Sequence, residues 1–427
     1  MSVVCKEAIM ELRERKGKIV RRIMVYTHNS IGLGHAVRTM ALIDGMRRAN
    51  PGIECLVLSG TSAPQIFLDQ GVEIIRLPGV RHALDLPGHP FLPRNLDSFS
   101  INELIAWRRK IIDECLLHFN PEVIMIEHSL AGLMGEVSPL LAARAAHYPA
   151  NASPALIHLS RGIYRFDPQF IAAPDDFPGL PPNTNILRLY DAFYVFEEKK
   201  MVDVNREFFG HDPTIESKIR YMGRISARNA DELGNPKEFP GAPWARNKPF
   251  ILFLLGRFGE IEDLHLRILR VFRHLGLDKG RDILIVPDVY LKPETLKALK
   301  AHPEFRDVQF TPFIPHLVDV MAKSDLVVCR AGYNIINEVM LTGVKAVIIP
   351  EAHPSGEQER RTASLSGDGL LVRNERSCLS DDIEDDLNTM MHQPPRPSSG
   401  DYDRFRIGRI IVEELEELLS RRSQDLE

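Results

Sequence analysis

The chain predicts a two-domain protein of parallel α/β architecture, and three observations carry that expectation. At 427 residues it exceeds the size at which a single hydrophobic core stops growing. Short apolar runs alternate with helix-patterned segments almost from end to end, the order that builds parallel sheets covered by helices. Near the middle, Gly223 to Lys248 breaks the alternation: it lacks apolar periodicity and carries Asn235-Pro236, Pro240-Gly241 and Pro243. The expected organisation is an N-terminal extension (1–20), a first α/β domain (21–222), a linker (223–248), a second α/β domain (249–400) and a C-terminal helical segment (401–427).

In the first domain, strands are expected at Arg22–Thr27, Ile53–Ser59, Val72–Leu77, Val123–Glu127, Ala155–Leu159 and Ala192–Val195. Helices are expected at His35–Ala49, Ile101–Phe119, Leu133–Ala146 and Glu198–Phe208. Two segments interrupt the pattern, Pro78–Ser100 and the proline-rich Arg161–Asn185, and loops of that length in a compact domain usually serve binding or closure. The second domain restarts with the very apolar Phe250–Leu255. Further strands are expected at Asp282–Val286, Val308–Thr311, Leu326–Cys329, Ala346–Ile349 and Leu370–Val372. The spacing of Ile407, Ile410, Ile411, Leu415, Leu418 and Leu419 predicts a helix over Tyr402–Arg422.

Composition narrows the partners. With 44% hydrophobic and 26% charged residues there is apolar material for two cores, and a net charge of -5 disfavours nucleic acid. The five cysteines are scattered, odd in number and without a CxxC pair, so neither a zinc site nor a disulfide framework is expected, and a reducing cytosol fits. Residues 1–18 carry eight charged side chains and no apolar core run, so no secretory signal is expected. Their short amphipathic pattern gives no support to peripheral membrane contact. No stretch approaches the roughly 20 apolar residues that span a bilayer. The acidic run Asp381–Asp386 is expected as a solvated helix start rather than a metal site.

The chemistry concentrates where strands end. Leu326 to Cys329 runs into Arg330-Ala-Gly332-Tyr-Asn334 and then a helix carrying Glu338. A strand, a tight turn and a helix N-terminus favour an anion such as phosphate, and Gly332 lets the backbone approach a ligand. Arg330 and Gly332 are expected to border that ligand, with Glu338 accepting hydrogen bonds from sugar hydroxyls beside it. The next strand end leads to Glu357 and Gln358. In the first domain, Gly32-Leu-Gly34-His35-Ala-Val-Arg38 follows the first strand. A histidine there can act as a general base or bind phosphate, the alternative being a turn cap. Glu127 and His128 close another strand, where either can orient an acceptor hydroxyl or act as a base, the alternative being polar groups that simply end a strand at the surface. Gly256 and Arg257 follow Phe250–Leu255, either approaching a diphosphate or simply turning the chain. Phe313 and Ile314 suit the border of a base, with loop packing as the alternative.

These motifs, in this order over roughly Arg21 to Val372, resemble the GT-B glycosyltransferases, in particular the family 28 branch that includes the peptidoglycan N-acetylglucosaminyltransferase and bacterial relatives with a Gly-x-Gly-His-x-x-Arg opening. The resemblance implies two Rossmann-like domains with parallel sheets facing a cleft, and a C-terminal helix returning to the first domain. It implies a nucleoside-diphosphate sugar, most simply a UDP-sugar, held mainly by the second domain: Glu338 on ribose, Gly332 and Asn334 at the diphosphate, Glu357 and Gln358 at the sugar. His35 would stand opposite, at the reacting centre. No metal or other cofactor is implied. The sequence departs from the family at Ala331, where the peptidoglycan enzyme has serine, and at the bulky Arg257 and Phe258. The acceptor region shows no match. The same opening is similar to that of nucleotide-sugar hydrolases of sialic-acid-like sugar pathways, for which the acceptor is water, and a non-catalytic nucleotide-sugar-binding protein is the third reading.

Overall fold

The computed structural model describes residues 20–28, 33–82, 91–146, 154–163, 177, 179–234, 243–256, 261–288, 291–311, 314, 316–351, 356–363, 365, 369–375 and 383–424. Alternating apolar strands and amphipathic helices give two parallel sheets. The first contains β1 (Arg22–Thr27), β2 (Glu54–Ser59), β3 (Glu73–Arg76), β6 (Val123–Glu127), β7 (Ala155–Ser160), β8 (Ala192–Val195) and β9 (Ile219–Tyr221) in the order β3-β2-β1-β6-β7-β8-β9. The second contains β10 (Phe250–Leu254), β11 (Asp282–Ile285), β12 (Gln309–Phe310), β13 (Leu326–Cys329), β14 (Ala346–Ile348) and β15 (Leu370–Val372) in the order β12-β11-β10-β13-β14-β15. Both sheets are doubly wound, and each reverses its strand order once: between β1 and β6 in the first, between β10 and β13 in the second. Ligands of such sheets lie outside the strands' carboxyl ends at that reversal.

Strands buried on both faces explain their unbroken apolar runs: β6, β10 and β13 have no exposed residue. Among helices of five or more residues, the first domain uses α1 (Gly34–Ala49), α2 (Ile101–Phe119), α3 (Ser138–Ala146) and α4 (Val204–Phe208). The second uses α5 (Ile261–His274), α6 (Pro293–Ala301), α7 (Leu317–Met321), α8 (Tyr333–Thr342), α9 (Glu357–Thr362) and α10 (Ile383–His392), and α11 (Arg404–Gln424) ends the described chain. None of the described helices is long and apolar enough to cross a membrane.

Three expected elements differ. Pro78–Ser100 is not all loop: β4 (Val80–His82) and β5 (Phe91–Pro93) pair as an antiparallel hairpin, with 83–90 outside the described residues. The helix expected at Leu133–Ala146 starts only at Ser138. Before it the chain turns through Gly132 and Gly135 at positive φ, which carries the buried Glu136 onto Arg108 and the Tyr26 hydroxyl. Glu198–Phe208 is helical only from Val204, because Asp203 caps a new start by accepting from the Arg206 amide at 3.2 Å.

α11 lies on α1 of the first domain. The two backbones touch at glycines: a Cβ on Gly45 would stand 2.3 Å from the Arg404 carbonyl oxygen, and one on Gly408 would stand 2.1 Å from the Gly45 carbonyl carbon. Arg404, 3% exposed, fixes this crossing by binding Asp44 on α1 and Glu232 and Asn229 in the interdomain crossover. Gly→Ala in a helix interior ordinarily stabilises by roughly 1 kcal/mol. At Gly45 the sign is expected to reverse, with Gly45→Ala costing about 1–3 kcal/mol through overpacking, read as a lowered urea midpoint.

Candidate active site

The strand reversal of the first sheet gathers a histidine–carboxylate cluster. β1 and β6 run in register, with Thr27 beside Glu127, so His28 and His128 leave the sheet side by side. α1 starts close by and brings His35 and Arg38. His35 Nδ1 faces both Glu127 carboxylate oxygens, at 2.8 and 2.9 Å. A carboxylate only accepts, so Nδ1 carries the hydrogen and the Nε2 lone pair remains for a ligand. Arg38 forms an ion pair with the same carboxylate, which is 1% exposed. The His35 and His128 rings lie 4.9 Å apart and the His28 ring 6.1 Å from each. His128 holds φ at 72°, left-handed backbone that a non-glycine residue adopts at a cost and that recurs at functional sites.

Burial sets the charge state of this cluster. It pushes the His35 pKa well below the ordinary 6.5, helped by the positive charges of Arg38, Arg161 and His28 and opposed by Glu357. His128 is lowered well below 6.5 in the same way, by burial first and then by His35 and Arg161. Because Arg38 already answers the Glu127 charge, that carboxylate does not keep a proton on His35. The imidazole is neutral at physiological pH with its Nε2 lone pair available, the form from which a general base acts.

The strand reversal of the second sheet faces this cluster. Gly332 caps α8 with no side-chain capping bond, and a Cβ there would meet nothing within 4 Å. Asn334, in the first turn, donates from Nδ2 to the Gly34 carbonyl at 2.8 Å, so the two glycine turns touch across the cleft. Glu338 sits two turns along, 6% exposed, with no described hydrogen bond to its carboxylate. Burial, reinforced by Asp319, raises its pKa to about 8.

The remaining expected residues divide. Glu357 reaches the cleft but is engaged by Arg361 at 2.6 Å and, from the first domain, by Arg161 at 2.9 Å. Gln358 is engaged within its own domain: its Oε1 accepts from the Ala331 and Glu351 amides, each at 3.0 Å, bracing one strand end against the next. Arg330 is likewise engaged, buried on the Leu255 and Ile349 carbonyls and paired with Glu375. Ile314 is 4% exposed and packs in the core under β10 and β13 rather than bordering a base. Gly256 turns at φ 74°. Gly32, Arg257 and Phe313 lie outside the described residues.

Four participants escaped the sequence reading. His28 and Arg161 each follow a parallel strand directly, a position that could have flagged them. Tyr333 and Arg361 gave no such signal. Tyr333 is buried between the Arg38 and Arg361 guanidiniums, 5.3 and 5.4 Å from its ring centre, and its hydroxyl donates to the Phe196 carbonyl.

With that geometry in view, the comparisons with known proteins are informative. Residues 290–403 match the glycosyltransferase family 28 C-terminal domain. Similar curated proteins are UDP-N-acetylglucosamine--N-acetylmuramyl-(pentapeptide) pyrophosphoryl-undecaprenol N-acetylglucosamine transferases. The one from Halalkalibacterium halodurans is 32% identical over 87 residues, 20% of this chain and 24% of that protein. The one from Acetivibrio thermocellus is 23% identical over 196 residues, 45% of this chain and 49% of that protein. The chain thus spans only a quarter to a half of the length of these relatives. Among solved structures, the UDP-GlcNAc 2-epimerase of Neisseria meningitidis bound to UDP-GlcNAc aligns with TM-score 0.59 and 13% identity over 93% of this chain and 100% of that one. The glycotransferase of kitacinnamycin aligns with TM-score 0.55 and 14% identity over 96% and 99%. At such identities the likeness is one of fold, two Rossmann-like domains of the GT-B kind. The family 28 resemblance read from the motifs is borne out in the second domain.

Glu338 makes a measurable statement about stability. Its folded pKa lies above the unfolded value, so its contribution is fully present below pH 4.5 and is lost as pH rises through about 8. Glu338→Gln is expected to flatten that dependence, with a Tm at or below wild type at pH 5 and above it at pH 9, followed by scanning calorimetry.

Proposed function

We propose that the protein is a glycosyltransferase that takes a sugar from a nucleoside-diphosphate sugar, UDP being the nucleotide its relatives point to, and passes it to an acceptor held against the first domain. The observation that carries this reading is the juxtaposition of a carboxylate-oriented neutral histidine with an uncapped helix N-terminus, contributed by two sheets whose strand reversals face one another. Neither half is informative alone. Together they pair a base with an anion-binding turn across a cleft, the arrangement a transfer from a diphosphate leaving group requires.

On this reading Glu338 receives the ribose hydroxyls, a role suited to a buried carboxyl group with no hydrogen-bond partner among the described residues. The α8 N-terminus and the cleft guanidiniums carry the diphosphate charge. His35 Nε2 takes the proton from the attacking acceptor hydroxyl while Glu127 holds the ring. Positive charge from helix and arginine supplies what a divalent cation would, so turnover is expected to survive a chelator.

Scanning fluorimetry against a panel of nucleotides and nucleotide sugars gives the first test, since a ligand at about 100 times its Kd stabilises by roughly 2.7 kcal/mol. A Tm rise with a UDP-sugar is expected; no rise with any nucleotide would end the donor reading. With a turnover assay in hand, His35→Ala is expected to lower kcat by about 10²- to 10⁴-fold, the usual worth of a general base. Glu338→Ala is expected to raise the donor KM by about tenfold or more while leaving kcat closer to wild type. Donor consumed equally fast without any acceptor would move the assignment to a hydrolase.

A further inference from the structure

The interdomain ion pair between Arg161 and Glu357 is not accounted for by anything above. Around His35, the described guanidiniums are Arg38, Arg161 and Arg361 and the described carboxylates are Glu127 and Glu357. Three cations meet two anions, so the cleft holds a surplus of positive charge. Arg38 is 5% exposed and tied to Glu127. Arg361 is 1% exposed, stacked on Tyr333 and bonded to the Ala331 carbonyl as well as to Glu357. Arg161 differs from both in exposure and in anchoring: its side chain is 25% exposed and its described side-chain contact is with Glu357 alone. Its Nε, like that of Arg361, is shielded from solvent without a partner among the described residues. Glu357, meanwhile, is neutralised by Arg361 whether or not Arg161 is present.

We infer that Arg161 is a ligand-binding residue whose guanidinium exchanges the Glu357 carboxylate for an anionic group of the ligand, the diphosphate of the donor on the reading proposed above. The geometry supplies both halves of the exchange. Glu357 lies next to the α8 N-terminus through Arg361 and the Ala331 carbonyl, so an anion settling on that turn arrives beside the guanidinium. Nε and Nη2 on one edge of a guanidinium form the fork that grips two phosphate oxygens, and in this protein Nη2 is on the carboxylate while Nε is unused. In the closed cleft, then, Glu357 acts as a stand-in anion that keeps the surplus charge covered until the ligand displaces it.

This makes a prediction about sign that a mere interdomain brace does not share. If Glu357 competes with the ligand for Arg161, weakening the carboxylate strengthens ligand binding. The probes are UDP, which carries the anion, and uridine, which does not, titrated calorimetrically into the full-length protein. Arg161→Met is expected to weaken UDP by about ten- to hundredfold, the worth of a charge-assisted bond, while changing uridine less than about twofold. Glu357→Gln, which keeps an acceptor for Arg361, is expected to bind UDP more tightly than wild type and uridine equally. Arg161→Lys should fall between wild type and Arg161→Met. Thermal unfolding of each variant confirms that it is folded before titration. Equal losses of UDP and uridine in Arg161→Met, or weaker UDP binding in Glu357→Gln, would overturn the exchange and leave the nucleotide site standing. Wild-type protein that binds no UDP at all would overturn the donor reading and the exchange with it.

Discussion

The first turn of α8 is the element on which the rest of the structure leans. Two anchors leave it for the first domain, the Tyr333 hydroxyl to the Phe196 carbonyl and Asn334 to the Gly34 carbonyl, and one turn further on Asn337 binds the Ile225 carbonyl of the linker at 3.0 Å. The Tyr333 ring, 4% exposed, packs with the core of the first domain although it belongs to the second. Buried polar contacts of this kind are specific because each unpaired group would cost more than its bond contributes. They decide which surfaces oppose one another. Because α8 starts where it does, the anion-favouring end of one sheet is held against the histidine-bearing end of the other.

Electrostatics follow from that placement. Burial strips water from His35 and His128 and drives both towards the neutral form, and on the second domain burial beside Asp319 drives Glu338 towards its protonated form. One side of the cleft therefore presents neutral imidazoles among guanidiniums, and the other a protonated carboxyl group. Glu127 takes part without becoming a base itself, since Arg38 balances its charge and its two oxygens serve to orient the imidazole. The second crossover, where Arg404 ties α11 to α1 and to residues 229–232, supports the arrangement from the far side and keeps the linker from setting the domains at other angles.

Most of the scaffold was legible in the sequence because it is written in local signals. Apolar runs buried on both faces, such as Leu326–Cys329 and Val123–Glu127, appear as strands with the same bounds in the structure. The failures occur where a distant partner overrides a local pattern. Glu136 bends the chain out of an expected helix because Arg108 and Tyr26 need it, and neither is near it in sequence. Gln358 and Arg330 stand at strand ends where ligand groups are expected, and the structure engages them with backbone atoms of neighbouring strand ends and with the Glu351 and Glu375 carboxylates. Arg161 and Glu357 are 196 residues apart and meet only once both sheets exist. Strand-end position thus located the cleft, while the hydrogen-bond partners that separate a ligand group from a brace lay in the tertiary structure.

The central claim, that the two facing strand reversals form one nucleotide-sugar site, is tested most directly by a crystal structure of the protein soaked with a UDP-sugar or its unreactive analogue. The account predicts ribose hydroxyls on the Glu338 carboxylate, the diphosphate at the α8 N-terminus, and the anomeric carbon facing His35 Nε2. A nucleotide bound outside the cleft, or one inside it with the sugar turned away from His35, would contradict it.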